Sequence, residues 1–500
     1  MIVKNEERFL RGCLESVKDL VDEIVIVDTG STDSTKEIAA EFGAKVSDFT
    51  WCDDFSAARN ESLNHTTGDW ILYLDADERI HEEYHKAVRR LISSGKGDAF
   101  LLNLRSKVGL DENSQYHVAS YPRLFRKLKG LRFTGKVHEQ ITNSLSQLKA
   151  RILPTDLIIE HLGYAQDSAT ILDKARRNQK LLLEQIDRRE NYGYALYQLG
   201  QTEIILGETD KGLGHLREAL AAGGYGKSVE ASIHGIIAEN MFKKGDAEAA
   251  LAACEKSLAI APSQAFAHLM MGEIYQKLDR HGDSLSAFLK AAREYERGIG
   301  KGKAGTAIEP VFSADIIYAK AGRAAMLAGD YETASSYIDK ALRKKKTSQR
   351  AAWLMESLLR KKDYRKVLDA ADEFREFENE DWYLRLVSSA LIDTQNYADA
   401  ARLLEKVSEP DEVSLSSLAN CRMKIGDLAG CESAFRAAVE KGYKDTAGLE
   451  LYGLVQFKLL NFEESAVTLS RALELDPANE RLQKFLNAAR AQVVAQGPTK

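Results

Sequence analysis

Disulfide chemistry is the first thing this 500-residue sequence lacks. Its five cysteines, Cys13, Cys52, Cys254, Cys421 and Cys431, are odd in number and nowhere spaced CxxC. That excludes a disulfide framework or zinc site and reads as small core residues in a reducing compartment. An excess of positive charge is also missing: the net charge is −6 and the isoelectric point near 6.0, so no nucleic-acid surface is expected. No apolar run approaches the length of a membrane span, and the opening MIVKNEERF has no signal-peptide core, so the expected location is cytoplasmic. What is present, 44% hydrophobic and 29% charged residues, describes a globular protein, and its length calls for two or more domains.

The first third is organised around Trp70 to Glu78, WILYLDADE. An apolar run of buried-strand length, Trp70 to Leu74, stops abruptly at Asp75-Ala76-Asp77-Glu78. Carboxylates cannot stay inside a strand without partners, so they should emerge at its carboxyl end, where open α/β sheets place their ligands. Two hard oxygen donors there suit a divalent cation that keeps positions for water and phosphate oxygens; a plain polar turn is the alternative. Upstream, Met1-Ile2-Val3 looks like the end of a strand, and Asn5-Glu6-Glu7 opens an amphipathic helix with Phe9, Leu10, Leu14 and Val17 on one face. Glu23 to Val27 is a second buried strand, closing on Asp28-Thr29-Gly30-Ser31-Thr32-Asp33-Ser34, where Ser31 or Asp33 can cap the next helix. Strand, turn, helix and strand make a βαβ unit and predict a mostly parallel sheet, with Asp28 at the same edge as Asp75. Between these acids, Asp54 can cap a helix that carries Arg59 one turn later, able to grip a phosphate; an exposed surface arginine is the plainer alternative.

NEE after a short first strand, VDTGSTDST, FSAARN and LDADE, in this order, resemble the family 2 glycosyltransferases with a GT-A fold. The resemblance covers residues 1–165 and implies an α/β, Rossmann-like domain that binds a nucleotide-diphosphate sugar. It implies donor contacts from Asn5, Glu6, Asp28, Arg59 and Asp75, and a magnesium or manganese ion held by Asp77 with Asp75. Family members usually carry several more strand residues before the equivalent of Met1, so the first strand reads as cut short. RLFR (123–126), then Phe133, Gly135 and Val137-His138-Glu139, look like the acceptor half of the same domain, with Tyr121 to Arg126 as an edge strand. The resemblance makes Glu139 the candidate base and His138 the reserve, with a capping or salt-bridging Glu139 as the alternative. His161, at the end of the strand-like Ile158 to Tyr164, is a candidate metal ligand, since some GT-A enzymes use a late histidine so.

His81-Glu82-Glu83-Tyr84-His85 also matches the zinc-protease pattern HExxH. The helix expected around it turns Ile80, Tyr84, Ala87 and Leu91 inward and leaves the histidines among charged residues, which makes the match accidental.

The remaining two-thirds repeats. After a linking helix at Asp167 to Arg189 (166–192), repeat starts fall near Gly193, Ala231, Ala265, Asp315, Gln349, Trp382, Glu412 and Thr446, with steps of 34 between 231 and 265, 315 and 349, and 412 and 446. That period, with Gly200, Gly272, Gly322 and Gly453 in the first helices and Ala219, Ala291, Ala341 and Ala472 in the second, resembles tetratricopeptide repeats. An all-α superhelical solenoid over 193–478 with a cap helix and tail at 479–500 is expected. The step of 50 between Ala265 and Asp315 marks an insertion, Arg293 to Pro310, read as an extended helix or flexible linker. Such an array offers a groove for peptides or protein partners, so the whole resembles bacterial repeat-bearing peptide or protein glycosyltransferases. The resemblance implies inverting, hexosyltransferase-like transfer to an acceptor recruited by the groove, a peptide or protein, with a saccharide or lipid-linked glycan as the open alternative. The rival reading is an inactive repeat scaffold with a truncated transferase domain.

Overall fold

The fold is that of a computed structural model, which describes residues 1–108, 115–162, 168–297, 308–311 and 313–496. Gly163-Tyr164 of the expected closing strand, Asp167 and the Gly-Lys alternation within 298–307 lie outside these residues. The chain divides into two compact units, Met1–Ala324 and Ala325–Lys500.

The first unit opens with a parallel three-stranded sheet, β1 (Ile2–Val3), β2 (Val25–Asp28) and β3 (Lys45–Asp48). Helices α1 (Leu10–Val17) and α2 (Thr35–Glu41) make the crossovers that parallel neighbours require. Leu10, Leu14, Ile26, Ile38 and Ala39 form the core between them, and Ala76 of the acidic turn wedges into it. Helix α3 (Phe55–His65) follows, capped as expected by Asp54, whose carboxylate accepts from the Ala57 amide at 3.0 Å.

The second sheet corrects the expectation of a mostly parallel domain. It runs β4 (Trp70–Leu72), β7 (Gln115–Arg126), β6 (Ala99–Val108), β8 (Ile152–His161), β5 (Glu78–Ile80), and only β6 and β8 pair in parallel. Six residues separate β6 from β7, too few for a crossover, so these two must meet antiparallel. A second correction concerns Tyr121 to Arg126, which lies inside the sheet between β4 and β6. Pro122 is tolerated there because the register slips: Phe100 faces Leu124 and Leu101 faces Pro122, leaving Arg123 as the extra residue of a bulge. A third is the expected helix over Glu78 to Ile92. Its first residues pair with β8 as β5, Glu82–Tyr84 form a 3-10 turn, and the helix proper, α4 (His85–Ser93), starts after it.

The linking helix is present as α6 (Ser168–Asp187), after the short α5 (Thr142–Gln147). Three helical hairpins follow in the same unit: α7 (Tyr192–Ile205) with α8 (Thr209–Ala222), α9 (Lys227–Lys243) with α10 (Ala247–Ile260), and α11 (Ala265–Lys277) with α12 (His281–Arg297). The insertion is in part an extended helix, since α12 runs to Arg297, but its far end is no linker: β9 (Ile308–Val311) pairs antiparallel with Tyr116 to Ala119 of β7. After α13 (Ala314–Leu327), the second unit holds α14 (Tyr331–Lys344), α15 (Ser348–Arg360), α16 (Tyr364–Glu373), α17 (Asp381–Asp393), α18 (Tyr397–Leu404), α19 (Glu412–Lys424), α20 (Leu428–Glu440), α21 (Thr446–Lys458), α22 (Phe462–Leu475) and the cap helix α23 (Glu480–Gln496). All eight expected repeat starts lie within four residues of a helix start. Gly453 shows why a small residue recurs: a Cβ there would stand 2.6 Å from Leu469 Cγ of the facing helix.

Candidate active site

Four chain segments bring the centre of the site together, the last of them the loop that carries Glu139. Strand β4 delivers the turn Asp75-Ala76-Asp77; because Ala76 is buried in the first core, the carboxylates on either side of it are turned outward. The turn is locked by Glu78, whose amide donates to the Asp75 carbonyl at 3.0 Å and whose Oε2 accepts from the Asp75 amide at 2.9 Å. Helix α3 brings Arg59, only 6% exposed, so the plain surface-arginine alternative fails. Its Nη2 donates to Asp75 Oδ1 at 2.5 Å and its Nε to Glu139 Oε1 at 2.8 Å. The bulge in β7 delivers Arg123, whose Nη2 donates to Glu78 Oε1 at 2.7 Å and lies 3.6 Å from Asp75 Oδ2. Both guanidinium groups flank Tyr73, at 5.1 and 4.1 Å from its ring centre.

Asp77 lies across from His161, Oδ2 to Nε2 3.2 Å, because β5 pairs with the end of β8. The other ring nitrogen of His161, Nδ1, is 2.9 Å from Ser106 Oγ. Asp28 is fully buried with its own partners: Oδ1 accepts from the Gly30 and Ser31 amides, each at 2.9 Å, with Lys36 Nζ at 3.7 Å. Its Oδ2 is buried without a hydrogen bond. Asn5 and Glu6 hold the turn after β2. The Asn5 amide donates to Ser31 Oγ at 2.9 Å, its Oδ1 accepts from the Thr32 amide at 2.8 Å, and the Glu6 amide donates to Thr35 Oγ1 at 2.8 Å. His138, beside Glu139, sits at φ +53°, in the left-handed region.

Charge and burial set distinct states on these groups. Burial opposes the charge of Asp75, but Arg59 and Arg123 outweigh it and hold the carboxyl well below the usual range. Burial pushes Glu78 up to about 7, helped by Asp75 and opposed by Arg123. Burial, then Asp77, likewise raises Glu6 to about 7, while Lys174 of α6 pulls the other way. Burial and then Arg177 lower His138 to about 4, so its ring is neutral near neutral pH. Burial works against a charged His161, yet the hydrogen bond and charge of Asp77 hold it above the ordinary histidine value.

The residue-level expectations gather unevenly. Arg59, Asp75 and Glu139 share one ion-pair cluster, Asp77 and His161 make a pair, and Asn5 and Asp28 belong to the turn beyond β2. The HExxH histidines separate: His81 Nε2 is 3.8 Å from Glu160 Oε1, and His85 Nε2 is 2.9 Å from the Ser16 carbonyl. Sequence reasoning missed Arg123 and Glu78 as partners of Asp75. The available signal was Pro122 inside an apolar strand, which demands a bulge and so a redirected neighbour.

Residues 1–147 match the sequence profile of the family described as Glycosyl transferase family 2. The N-terminal domain is a family 2 glycosyltransferase domain. A TPR repeat-containing protein of Synechococcus elongatus is 34% identical over 258 residues, covering 50% of this chain and 63% of its own. The SPbeta prophage-derived glycosyltransferase SunS of Bacillus subtilis is 28% identical over 222 residues, 44% of this chain and 52% of its own. The chain thus spans between about half and just under two-thirds of the length of these relatives. Among solved structures, a tetratricopeptide repeat protein from Parabacteroides merdae is similar over 53% of this chain and 100% of its own, at 14% identity and a TM-score of 0.33.

In the family 2 domain the residues present fit a divalent cation at Asp77 and His161. Two ligands at about 2.1 Å from an octahedral ion lie roughly 3 Å apart, as Oδ2 and Nε2 do. The Ser106 hydroxyl holds the remote ring nitrogen, the outer support that histidine ligands use. Among the described residues no group of three or more His, Cys, Asp or Glu side chains is arranged to hold a metal. The other positions would fall to water and donor oxygens.

Proposed function

We propose that this domain transfers a glycosyl group from a nucleotide-diphosphate sugar to an acceptor, by a single inverting displacement that depends on a divalent cation. The observation that carries the reading is the convergence of Arg59, Arg123, Asp75, Glu78 and Glu139 in one buried cluster beside the Asp77 and His161 pair. Asp75, Asp77 and Glu139 crowd carboxylates around the two guanidinium groups, so a diphosphate accompanied by its cation suits the cluster better than a bare one. When bound, magnesium or manganese would neutralise the charge that develops on the departing nucleoside diphosphate. Asp77 and His161 would hold it, and Asp75 keeps Arg59 aimed along the cluster floor. Asp28, buried with one unsatisfied oxygen, would accept from the base or ribose, with Asn5 and Glu6 shaping that end.

Glu139 takes the proton of the acceptor hydroxyl while the new glycosidic bond forms and the sugar–diphosphate bond breaks on the opposite face. Its neighbour His138, neutral near pH 7, is the reserve. The acceptor is a peptide or protein that the repeats hold beside the domain. The functional division then runs 1–165 for the transferase domain, 166–192 for the linking helix, 193–478 for the repeats and 479–500 for the cap and tail.

A thermal-shift screen of the full chain against UDP-, GDP- and TDP-sugars, with and without manganese, tests the reading. A site filled to about 100 times its dissociation constant adds roughly 2.7 kcal/mol. The expected result is a shift that needs both one donor and the metal and is lost in Asp77→Asn. No shift with any donor in a folded chain, or full metal-dependent turnover by Asp77→Asn, would overturn it.

A further inference from the structure

The segment 134–143, which carries His138 and Glu139, does little to hold its own shape. A single bridge joins Thr134 to Gln140, and Gly135 and His138 both occupy the left-handed region, at φ +103° and +53°. From the transferase side the Phe55 amide donates to the Lys136 carbonyl at 2.8 Å, Asn60 and Phe133 exchange two bonds at 2.8 and 3.0 Å, Arg59 Nε donates to Glu139 Oε1 at 2.8 Å, and Ile141 is buried in the transferase core.

A second set of contacts comes from beyond residue 165. The Lys136 amide donates to Gln185 Oε1 at 3.0 Å and its Nζ to Glu184 Oε2 at 2.7 Å. Gln140 Nε2 donates to the Tyr194 hydroxyl at 3.0 Å, Asn143 Nδ2 to Asn191 Oδ1 at 3.1 Å, and Asn191 Nδ2 to Thr134 Oγ1 at 3.4 Å. Val137 is buried against Leu181 and Leu182 of α6 and Ala195 and Leu199 of α7. Gln185 is the centre of this frame. It is 2% exposed, and while its Oε1 takes the Lys136 amide its Nε2 donates to the Glu190 carbonyl at 3.0 Å, tying the loop to the end of α6.

We propose that α6 and the first repeat helix are the frame that aims Glu139, and that Gln185 is the positioning residue of that frame. The inference rests on Glu139 being the base. Gln185 acts through the loop: its buried side-chain oxygen accepts from the half-buried amide three residues before Glu139, and without it that amide loses its partner and the loop is free to move. A displacement of about 1 Å at a catalytic group can cost on the order of 10²-fold in rate. Glu139 is held at 2.8 Å from Arg59 Nε only while the loop keeps its left-handed path.

The test uses the full chain with water as acceptor, reading nucleoside diphosphate release from the sugar donor identified by thermal shift. Gln185→Leu is expected to lower kcat by about 10- to 100-fold with the donor KM within about twofold. Gln185→Glu keeps an oxygen for the Lys136 amide and should recover most of the rate. In a Glu139→Gln background, Gln185→Leu should cost nothing further, since it acts through the same group. A multiplicative loss in the double variant, equal losses for Leu and Glu, or a change in donor KM alone would overturn the proposal. Full turnover by Glu139→Gln would instead remove the base reading on which it rests. Hydrogen exchange of the unliganded chain reads the same claim without turnover: Gln185→Leu should speed exchange across 134–143 and leave β6 to β8 unchanged, and unchanged exchange across 134–143 would overturn it.

Discussion

Replacing Arg59 by leucine would remove the guanidinium that joins three segments of the site. Arg59 makes two charge-assisted hydrogen bonds, to Asp75 and to Glu139. Each such bond is worth about 1.5–3 kcal/mol, and removing one partner leaves the other charge without compensation. The two losses are unequal. Asp75 keeps Arg123 at 3.6 Å and its side chain is 36% exposed, so part of its cost is returned by solvent and by that second guanidinium. Glu139, with a side chain only 13% exposed, keeps no such partner at that oxygen. A loss of about 3 kcal/mol follows, mostly from Glu139, which in a unit of this size lowers the melting temperature by about 5 °C.

Calorimetry of the full chain should place the shift in one transition and leave any other unmoved. Glu139→Gln in the Arg59→Leu background should recover more than half of it, because the neutral amide costs less to leave unpaired. Wild-type Asp75 has a depressed folded pKa, so its contribution is present above about 3.8 and persists on mild acidification. A loss under about 1 kcal/mol, or no recovery on adding Glu139→Gln, would refute the reasoning.

Three further outcomes are expected. Glu6 is raised to about 7 in the fold, from an ordinary 4.5, so its charging costs stability as pH rises through 7; Glu6→Gln should raise the metal-free melting temperature at pH 8 and change it little at pH 5, as thermal denaturation across pH will show. Gly453→Ala forces a methyl to 2.6 Å from Leu469, and overpacking of about 1–3 kcal/mol exceeds the roughly 1 kcal/mol gained in helix propensity, whereas exposed Gly214 of α8 has open space and its alanine should stabilise by about 0.5–1 kcal/mol. His81→Ala should retain manganese-dependent donor hydrolysis in full, since its ring faces Glu160 rather than Asp77; a metal requirement lost with His81 would restore the HExxH reading.

Much of the fold was legible because its signals are local. Asp54 followed by FSAARN specified a capped helix and placed Arg59 one turn along it, and the repeat period located every helical hairpin to within four residues. Asp77 and His161 could be paired as candidates because both end apolar runs. The errors fall where pairing decides. Glu78 to Ile80 has an acceptable helical pattern, yet it completes a strand pair with β8 that lies more than 70 residues away. Tyr121 to Arg126 carries a proline and so reads as an edge, but a bulge lets the strand run through the sheet and turns the misfit into the means of burying Arg123.

The same reasoning explains why the loop that carries Glu139 was the least legible part of the site. Asp28, Arg59 and Asp75 belong to segments whose own sequence shows a strand end or a helix cap, so each announces its place. Nothing local in Gly135 to Glu139 specifies a path; two left-handed residues and one bridge leave it underdetermined, and its geometry is supplied by Phe55 and Arg59 on one side and by Gln185, Tyr194 and Asn191 on the other. Those three residues read in sequence as ordinary polar positions on a linker and a repeat. Strand β9 makes the point from the other direction: four residues at the end of the insertion return to the transferase sheet and pair with β7, and no periodicity in the repeat register foretells it. The first three repeats therefore cannot be treated as a module on a flexible tether, whose contribution would scale with linker length. They share a compact unit and a sheet with the domain they follow, so a change on α6 or α7 should be felt at Glu139 as a change of geometry rather than as a change of local concentration.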